Sequence, residues 1–118
     1  MDKPHRPDER TILLVRINCP SETTGQSIAE AAISAKLAAC ANLEGPVASI
    51  YPWKGEIVRE DEWILWLKTA ANAWDPLEAL IKTVHPYEVP AILGFDSVQA
   101  HAPFAAWITN EMENSDAP

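Results

Sequence analysis

The sequence predicts an α+β protein with a ferredoxin-like βαββαβ sandwich and an additional C-terminal helix. Three observations support this fold class. Stretches with strand character and stretches of helical spacing follow one another in the order strand, helix, strand, strand, helix, strand. A two-residue turn signal joins the second and third strands into a long hairpin. The 118 residues suffice for one domain with its own hydrophobic core.

The first strand and helix are distinguished by a change in periodicity. Residues 11–17 are apolar and β-branched, which predicts a strand that is partly buried on both faces. Ser21 is a good N-cap and Glu22 suits a first helical turn, so we expect a helix over residues 22–37. The preceding residues, 1–10, are polar and contain proline, and we expect them to form a disordered arm.

The next two strands form the predicted hairpin. Residues 41–53 alternate between two faces, and residues 56–69 follow after Lys54 and Gly55, which have the composition of a two-residue turn. Proline and glycine within the first of these strands predict a bend, a bulge or an edge position. The third strand is charged in its first half, whereas its second half, residues 63–67, is apolar on both faces.

The second half of the chain repeats the helix and strand pattern. Asp75, as a cap, and Pro76, at the first helical position, predict a helix within residues 72–84. An apolar run beginning at Val89 predicts the fourth strand, and Pro103 predicts the start of the last helix.

We therefore expect one folded domain over residues 11–113, followed by a flexible tail at residues 114–118. Two helices on one face of a four-stranded sheet leave its other face uncovered. Because residues 63–67 are apolar on both faces, self-association is the simplest way to cover that face.

Composition restricts the partners and the location of the protein. The net charge of −8 disfavours sequence-independent binding to nucleic acid or to an anionic membrane. No apolar run approaches the ~20 residues of a membrane span, and the first residues lack the apolar region of a secretory signal. We therefore expect a cytoplasmic location, with Cys19 and Cys40 as thiols that belong to no zinc or CxxC pattern.

The polar segment His85-Pro86-Tyr87-Glu88-Val89-Pro90 lies between the second helix and the last strand. Pro86 disfavours helix at His85, and the two prolines restrict the backbone around the polar side chains. Neutral imidazole from His85 can ligate a borderline metal ion, and Glu88 can act as a hard ligand or a base. The alternative is a rigid connector whose polar side chains are only solvated.

Three further residues are candidates for a binding site. Lys68 lies late in an apolar strand, where its charge needs a carboxylate such as Glu88, an anionic ligand, or a path to solvent along its stem. Cys40 is either a soft metal ligand or a buried inert thiol, and Cys19, in a predicted turn, is expected to be the more exposed cysteine. Trp53, like Tyr87, suits the wall of a cleft or a subunit interface.

Five segments, in this order and spacing, resemble the CutA family of divalent-cation tolerance proteins. They are Asn18-Cys19-Pro20, Lys36-Leu37-Ala38-Ala39-Cys40-Ala41-Asn42, Ser49-Ile50-Tyr51-Pro52-Trp53-Lys54-Gly55, Leu67-Lys68-Thr69 and His85-Pro86-Tyr87-Glu88-Val89-Pro90. The resemblance extends from about Ile12 to Trp107. It implies a ferredoxin-like fold, a homotrimer whose long hairpins pair between subunits, and a link to copper and other divalent cations.

The resemblance also implies where ligands bind. It places the counterparts of five residues in clefts between trimer subunits: Cys40, Trp53, Lys68, Tyr87 and Glu88. Within such a cleft we expect His85, Cys40 and Glu88 to be the metal ligands for weakly bound copper(II) or another divalent cation. We also expect Lys68 to accept a small anionic ligand, to which Tyr87 donates a hydrogen bond.

Two departures from the family pattern reduce the number of metal ligands. Some members have a second histidine where this chain has Val84, and some have a cysteine where it has Ile17. Affinity for copper would then depend on ligands gathered from more than one subunit.

Two classes of function follow, and an oligomeric scaffold that binds no ligand is a third alternative. The first is a trimeric module that binds a divalent cation or a small ligand and acts in the response to metal ions. The alternative is an enzyme of unknown reaction that uses Lys68, His85 and Glu88 in an interface cleft. The sequence has no GxSxG or HExxH motif, no phosphate-binding glycine loop and no dinucleotide fingerprint, so we expect no organic cofactor and favour the binding module.

Overall fold

The computed structural model describes residues 11–113, and its elements follow the predicted order. The strands are β1 (Ile12–Cys19), β2 (Cys40–Trp53), β3 (Glu56–Ala70) and β4 (Ile92–Asp96). The helices are α1 (Glu22–Ser34), α2 (Trp74–Val84) and α3 (Ala102–Glu113), and a 3₁₀ turn at Ala71–Ala73 precedes α2. The predicted disordered arm and flexible tail lie outside the described residues.

The four strands form one antiparallel sheet in the order β2-β3-β1-β4. This is the ferredoxin-like arrangement, so the predicted fold class is confirmed. Helices α1 and α2 pack on one face of the sheet, because their buried side chains share a core with alternate residues of β1 and β3. The fully buried members of that core include Val15, Ile17, Ile28, Leu65, Leu67, Leu77 and Ile81.

Among residues 11–113, the opposite face of the sheet is covered at one end by α3. Ile12 and Ile108 are buried there together with Ala105, which docks α3 against the start of β1. Towards β4 the face carries Leu93, which is 53% exposed, and Phe95, which is 44% exposed. We call this surface, away from α1 and α2, the open face.

The two-sided apolar character predicted for residues 63–67 is confirmed. Leu65 and Leu67 lie in the core under the helices, whereas Ile64 and Trp66 point to the open face. Ile64 is buried and Trp66 is half-buried, although no helix described here lies over that part of the sheet.

The hairpin turn has the predicted composition and geometry. Lys54 has φ 52° and Gly55 has φ 82°, so both turn residues are left-handed, as in a type I′ turn. The predicted irregularity in β2 is also present, because the register with β3 shifts between Glu44 and Val47.

Several boundaries differ from the prediction, among them the end of β1, which lies at Cys19 and not at residue 17. Helix α1 ends at Ser34 and not at residue 37, because Lys36 takes a left-handed φ of 61°. The Leu37 N–H then donates to the Ala32 carbonyl and caps the end of the helix. Helix α2 begins at Trp74, directly after the 3₁₀ turn, so Asp75 lies in its first turn and is not the cap.

The fourth strand begins three residues later than predicted, at Ile92. Pro90 has no N–H to donate to a ladder, and Val89 is exposed, so the chain forms bends before it joins β1. No helix within residues 11–113 is long and apolar enough to cross a membrane.

Candidate functional site

The segment of residues 85–90 begins where α2 ends. His85 has extended backbone angles (φ −79°, ψ 136°) and still donates its N–H to the Ile81 carbonyl at 2.8 Å. The helix therefore ends at the residue before Pro86, as the sequence predicts. This geometry turns the His85 side chain inward, where only 7% of the residue is exposed.

Both ring nitrogens of His85 have partners in the chain. Nε2 lies 2.7 Å from the main-chain oxygen of Asn18, and Nδ1 lies 3.1 Å from the main-chain nitrogen of Tyr87. A peptide N–H only donates, so Nδ1 is the acceptor and Nε2 carries the proton that it donates to Asn18. The imidazole is therefore neutral in this arrangement and ties residues 85–90 to the end of β1.

A buried carboxylate, which the sequence reasoning did not identify, lies next to this imidazole. Glu62 in β3 is only 6% exposed. Its Oε1 accepts a bond of 3.1 Å from Asn18 Nδ2, and its Oε2 accepts one of 3.1 Å from the Tyr87 hydroxyl. The sequence did contain a signal for this burial. Glu62 directly precedes the apolar run of β3 and lies on the same face of the strand as Ile64.

The environment of Glu62 favours its ionised form. Burial by itself would raise the pKa of this carboxyl. Three donated hydrogen bonds, from Ser49, Asn18 and Tyr87, act against burial, and so does the charge that His85 carries when protonated. Together they hold the pKa of Glu62 below its ordinary value.

Glu62 in turn affects two neighbouring groups. Burial, then the hydrogen bond to Glu62 and its negative charge, raises the pKa of Tyr87 to about 12. Burial and the charge of Glu62 also raise the pKa of Cys19 to about 11. Cys19 is the last residue of β1 and is completely buried, so the expectation that it would be the more exposed cysteine is wrong.

A chain of polar and aromatic contacts continues from this cluster across the open face. Arg16 donates from Nη1 to Asn18 Oδ1 at 3.0 Å, and its guanidinium lies 5.9 Å from the ring centre of Trp66. Trp66 donates from Nε1 to Glu44 at 3.0 Å, and its ring lies 6.1 Å from that of Phe95. The open face is therefore aromatic at its centre, with polar groups fixed around it.

Lys68 and Cys40 lie together, near the other end of β3. They are register partners across β2 and β3, so their side chains share the open face. Lys68 donates from Nζ to Asn42 at 3.0 Å, and the same nitrogen lies 5.7 Å from the ring centre of Phe104 in α3. Within one chain the partner of Lys68 is thus Asn42 and not Glu88.

The predicted cleft residues fall into three separate groups within one chain. Lys68 lies beside Cys40, and Glu62 lies beside Tyr87. Lys68 and Glu62 are six residues apart on β3, which corresponds to about 20 Å. Trp53 is exposed at the far tip of the hairpin, and Glu88 is exposed in the segment of residues 85–90. One copy of the chain therefore does not form the predicted cleft.

The described residues of one chain also do not form a metal site. Residues 11–113 contain no group of three or more histidine, cysteine, aspartate or glutamate side chains that could hold a metal ion. His85 contacts the end of β1 at Asn18, whereas Cys40 pairs with Lys68 opposite the start of that strand. His85 would also have to release Asn18 or Tyr87 to bind a cation. A site with the predicted ligands must therefore take donors from more than one copy.

The sheet order, the helices on one face and the long hairpin define a ferredoxin-like domain with an extended β2–β3 arm. The sequence profile described as CutA1 divalent ion tolerance protein matches residues 13–111, which is most of the chain. The chain therefore belongs to the CutA1 divalent ion tolerance protein family.

Curated relatives and solved structures agree with this assignment. The divalent-cation tolerance protein CutA of Thermus thermophilus is 36% identical over 95 residues, covering 80% of this chain and 92% of the relative. Protein CutA of Mus musculus is 34% identical over 102 residues, covering 84% of this chain but only 58% of the mouse protein. This chain thus spans little more than half the length of the mouse relative.

The same family supplies the structural neighbours. The crystal structure of the divalent ion tolerance protein CutA1 from Ehrlichia chaffeensis has a TM-score of 0.87 at 28% identity, covering 91% of this chain and all of that one. The Thermus thermophilus structure has a TM-score of 0.79 at 35% identity, covering 82% of this chain and 94% of the other.

Proposed function

We propose that this chain forms a homotrimer that binds a divalent cation or a small ligand in clefts between its subunits and acts in the response to metal ions. The observation that carries the proposal is the open face of the sheet. Trp66, Leu93 and Phe95 lie there, and no helix within residues 11–113 covers them. Apolar surface of this kind marks an interaction site, and the larger, more hydrophobic interfaces belong to permanent oligomers.

The positions of the candidate residues support clefts between subunits. The groups around Lys68, Tyr87 and Trp53 lie at the two ends of the sheet and at the tip of the hairpin. A second copy that packs on the open face, with hairpins paired as the family resemblance implies, would bring groups from different chains together. An enzymatic use of Lys68, His85 and Glu88 would need the same assembly, and nothing in the site favours a particular reaction.

The proposed cation ligands are His85, Cys40 and Glu88, contributed by more than one subunit. An imidazole, a thiolate and a carboxylate suit copper(II) better than a hard cation. The affinity should be low, because His85 must break a hydrogen bond before either nitrogen can ligate a cation. Lys68 remains the candidate for an anionic ligand, since among the described residues its ammonium donates to Asn42 and to no carboxylate.

We propose a cytoplasmic location, supported by the two free cysteines. Within the family the location varies, because the Arabidopsis thaliana relative is described as chloroplastic and the Archaeoglobus fulgidus structure as periplasmic.

Native mass spectrometry of the purified chain, with and without copper(II), tests the oligomer and the cation together. We expect the mass of a trimer in both conditions, and copper bound in proportion to the number of clefts when it is added. A folded monomer at micromolar concentration would contradict the proposal. A trimer that takes up no copper would support the proposed assembly and contradict the proposed cation site.

A further inference from the structure

We infer that Glu62 is a positioning residue that fixes the direction of the Tyr87 hydroxyl, so that the phenol oxygen of Tyr87 meets a ligand only as a hydrogen-bond acceptor. The orientation of Tyr87 is a property of one chain. The consequence for a ligand rests on the proposed function, which places Tyr87 in the cleft. Glu62 itself contacts Tyr87, Asn18 and Ser49 and need not touch the ligand.

The first step is the orientation of the Asn18 amide. Arg16 can only donate hydrogen bonds, and its Nη1 lies 3.0 Å from Asn18 Oδ1. This contact sets the amide oxygen towards Arg16 and the amide nitrogen towards Glu62. Asn18 Nδ2 can only donate, so Glu62 Oε1 must accept its bond of 3.1 Å.

The second step concerns the remaining oxygen of the carboxylate. Glu62 Oε2 lies 3.1 Å from the Tyr87 hydroxyl, and an ionised carboxylate can only accept. The single phenol proton must therefore point to Glu62. Once that proton is used, the phenol oxygen can only accept further hydrogen bonds. Our expectation that Tyr87 donates to an anionic ligand is therefore not supported by this geometry.

The third step is that Tyr87 is held at both ends. Its main-chain N–H is bonded to His85 Nδ1, and the two rings lie 4.9 Å apart at an interplanar angle of 50°. The His85 ring is itself fixed to the Asn18 carbonyl. The Tyr87 ring can therefore not move away from Glu62 without losing its contact with the His85 ring.

Nearby charges act in the same direction. Glu60 precedes Glu62 by two residues on the same side of β3, and Tyr51 donates its hydroxyl to Glu60 at 2.6 Å. The raised pKa of Tyr87 includes the effect of Glu60 as well as that of Glu62. The group of a ligand that meets Tyr87 should thus carry an N–H or O–H donor rather than a carboxylate or phosphate oxygen.

The test uses the fact that the chain contains only two tyrosines. In the full chain carrying Tyr51→Phe, tyrosinate absorbance reports Tyr87 alone. A stopped-flow jump to pH 11, read before alkaline unfolding and with circular dichroism as a folding control, measures its ionised fraction. Because Glu62 accepts the phenol proton and its charge opposes a phenolate, the ionised fraction of Tyr87 should be clearly smaller than that of the same tyrosine in the urea-unfolded chain at the same pH.

The variant that separates charge from shape is Glu62→Gln on the same background. Glutamine keeps the size of the side chain and an accepting oxygen but removes the negative charge. We expect the ionised fraction of Tyr87 at pH 11 to rise severalfold, while Glu60→Gln, two residues away, should raise it less. An equal fraction for glutamate and glutamine at position 62 would overturn the inference.

The inference stays testable if the glutamine variant does not fold. Nearly complete ionisation of Tyr87 in the Tyr51→Phe chain, at the first reading after the jump, would overturn it without any change at position 62. None of these measurements needs a ligand or an oligomer. If the proposed trimer or its cation site is contradicted, the result on Glu62 is unaffected. If the inference on Glu62 is contradicted, the trimer and its cation site are unaffected.

Discussion

Nε2 of His85 lies 2.7 Å from the main-chain oxygen of Asn18, and this contact joins the residue that ends α2 to the end of β1. Because Nδ1 of the same ring accepts from Tyr87, Nε2 carries the proton of the neutral ring and is the donor to Asn18. One side chain thus holds three parts of the chain together beside the buried Glu62. The same nitrogens are the ones that a metal ion would need.

Replacing His85 by alanine should destabilise the fold by roughly 1–3 kcal/mol, because the Asn18 carbonyl and the Tyr87 N–H lose their partner in a poorly hydrated place. Urea denaturation measures the change. His101→Ala is the matched control, since His101 is exposed and its loss should change the free energy of unfolding by less than ~0.5 kcal/mol. Equal effects of the two substitutions would contradict the role of the His85 contacts.

The His85→Ala chain also tests the proposed cation site. By calorimetry we expect the intact chain to bind copper(II) weakly and more tightly than zinc, and the variant to lose that binding. Copper affinity should be lower in acid than at neutral pH, because a metal ion and protons compete for the same ligand atoms. An unchanged copper affinity in the folded variant would place the cation elsewhere.

Trp66→Glu should dissociate the proposed trimer. The substitution removes an aromatic ring from the centre of the open face and places a second carboxylate beside Glu44, to which the indole now donates. An unpaired charge in a buried interface costs several kcal/mol, on the order of 3–5. Sedimentation equilibrium should show a folded monomer for this variant. Val98→Glu is the control: the position is 98% exposed, so this variant should keep the mass of the trimer.

Features set by neighbouring residues were predictable from the sequence. The hairpin turn at Lys54 and Gly55 and the helix end before Pro86 depend on local backbone preferences, and the structure has both. The end of α1 was predicted three residues too late, because nothing in the apolar pattern shows that Lys36 adopts a left-handed φ.

The contacts around the candidate site depend on residues that are far apart in the chain. Glu62 takes its bonds from Asn18, 44 residues earlier, and from Tyr87, 25 residues later. Periodicity showed the face on which Glu62 lies but not these partners. The same limit explains why Cys19 was predicted to be exposed, since its burial comes from the helices packed over β1.

The two thiols should differ clearly in reactivity. Cys19 is completely buried and its pKa is raised to about 11, so it remains a thiol at neutral pH, whereas Cys40 is half-buried. An alkylating reagent should modify Cys40 first, and a Cys40→Ser chain should react only on unfolding. Rapid labelling of Cys19 in the native Cys40→Ser chain, followed by mass spectrometry, would contradict the burial described here.

Glu62 should make stability depend on acid pH. Its pKa is lower in the folded chain than its ordinary value of 4.5, so its contribution to stability is complete above that value. The contribution is lost as the pH falls from about 4.5 through the folded pKa, because the carboxylate is then protonated. Glu62→Gln should therefore cost roughly 1–3 kcal/mol at pH 7 and progressively less in acid.

Urea denaturation between pH 7 and pH 3 measures this difference. Glu56→Gln is the control, because Glu56 is exposed near the hairpin tip and should change little at either pH. A cost of Glu62→Gln that stays constant over the whole range would mean that the ionised carboxylate contributes nothing of its own.

Lys68 provides a test that distinguishes contacts within one chain from contacts between chains. Its ammonium donates to Asn42 in the same chain, whereas Glu88 is exposed and lies towards the other end of β3. A double-mutant cycle of Lys68→Met with Asn42→Ala should give a coupling of about 0.5–1 kcal/mol. That coupling should be the same in the proposed trimer and in the Trp66→Glu monomer, because both partners belong to one subunit.

The cycle of Lys68→Met with Glu88→Gln should behave differently. If the two residues face each other across a subunit boundary, Lys68→Met strands a carboxylate in the trimer, and removing the charge of Glu88 restores part of the loss. We therefore expect a coupling of at least ~0.5 kcal/mol in the trimer and none in the Trp66→Glu monomer, where the two side chains are far apart. A trimer without this coupling would exclude Glu88 as the partner of Lys68 and leave the ammonium available to an anionic ligand. Coupling that persisted in the monomer would contradict the finding that Lys68 and Glu88 lie far apart within one chain.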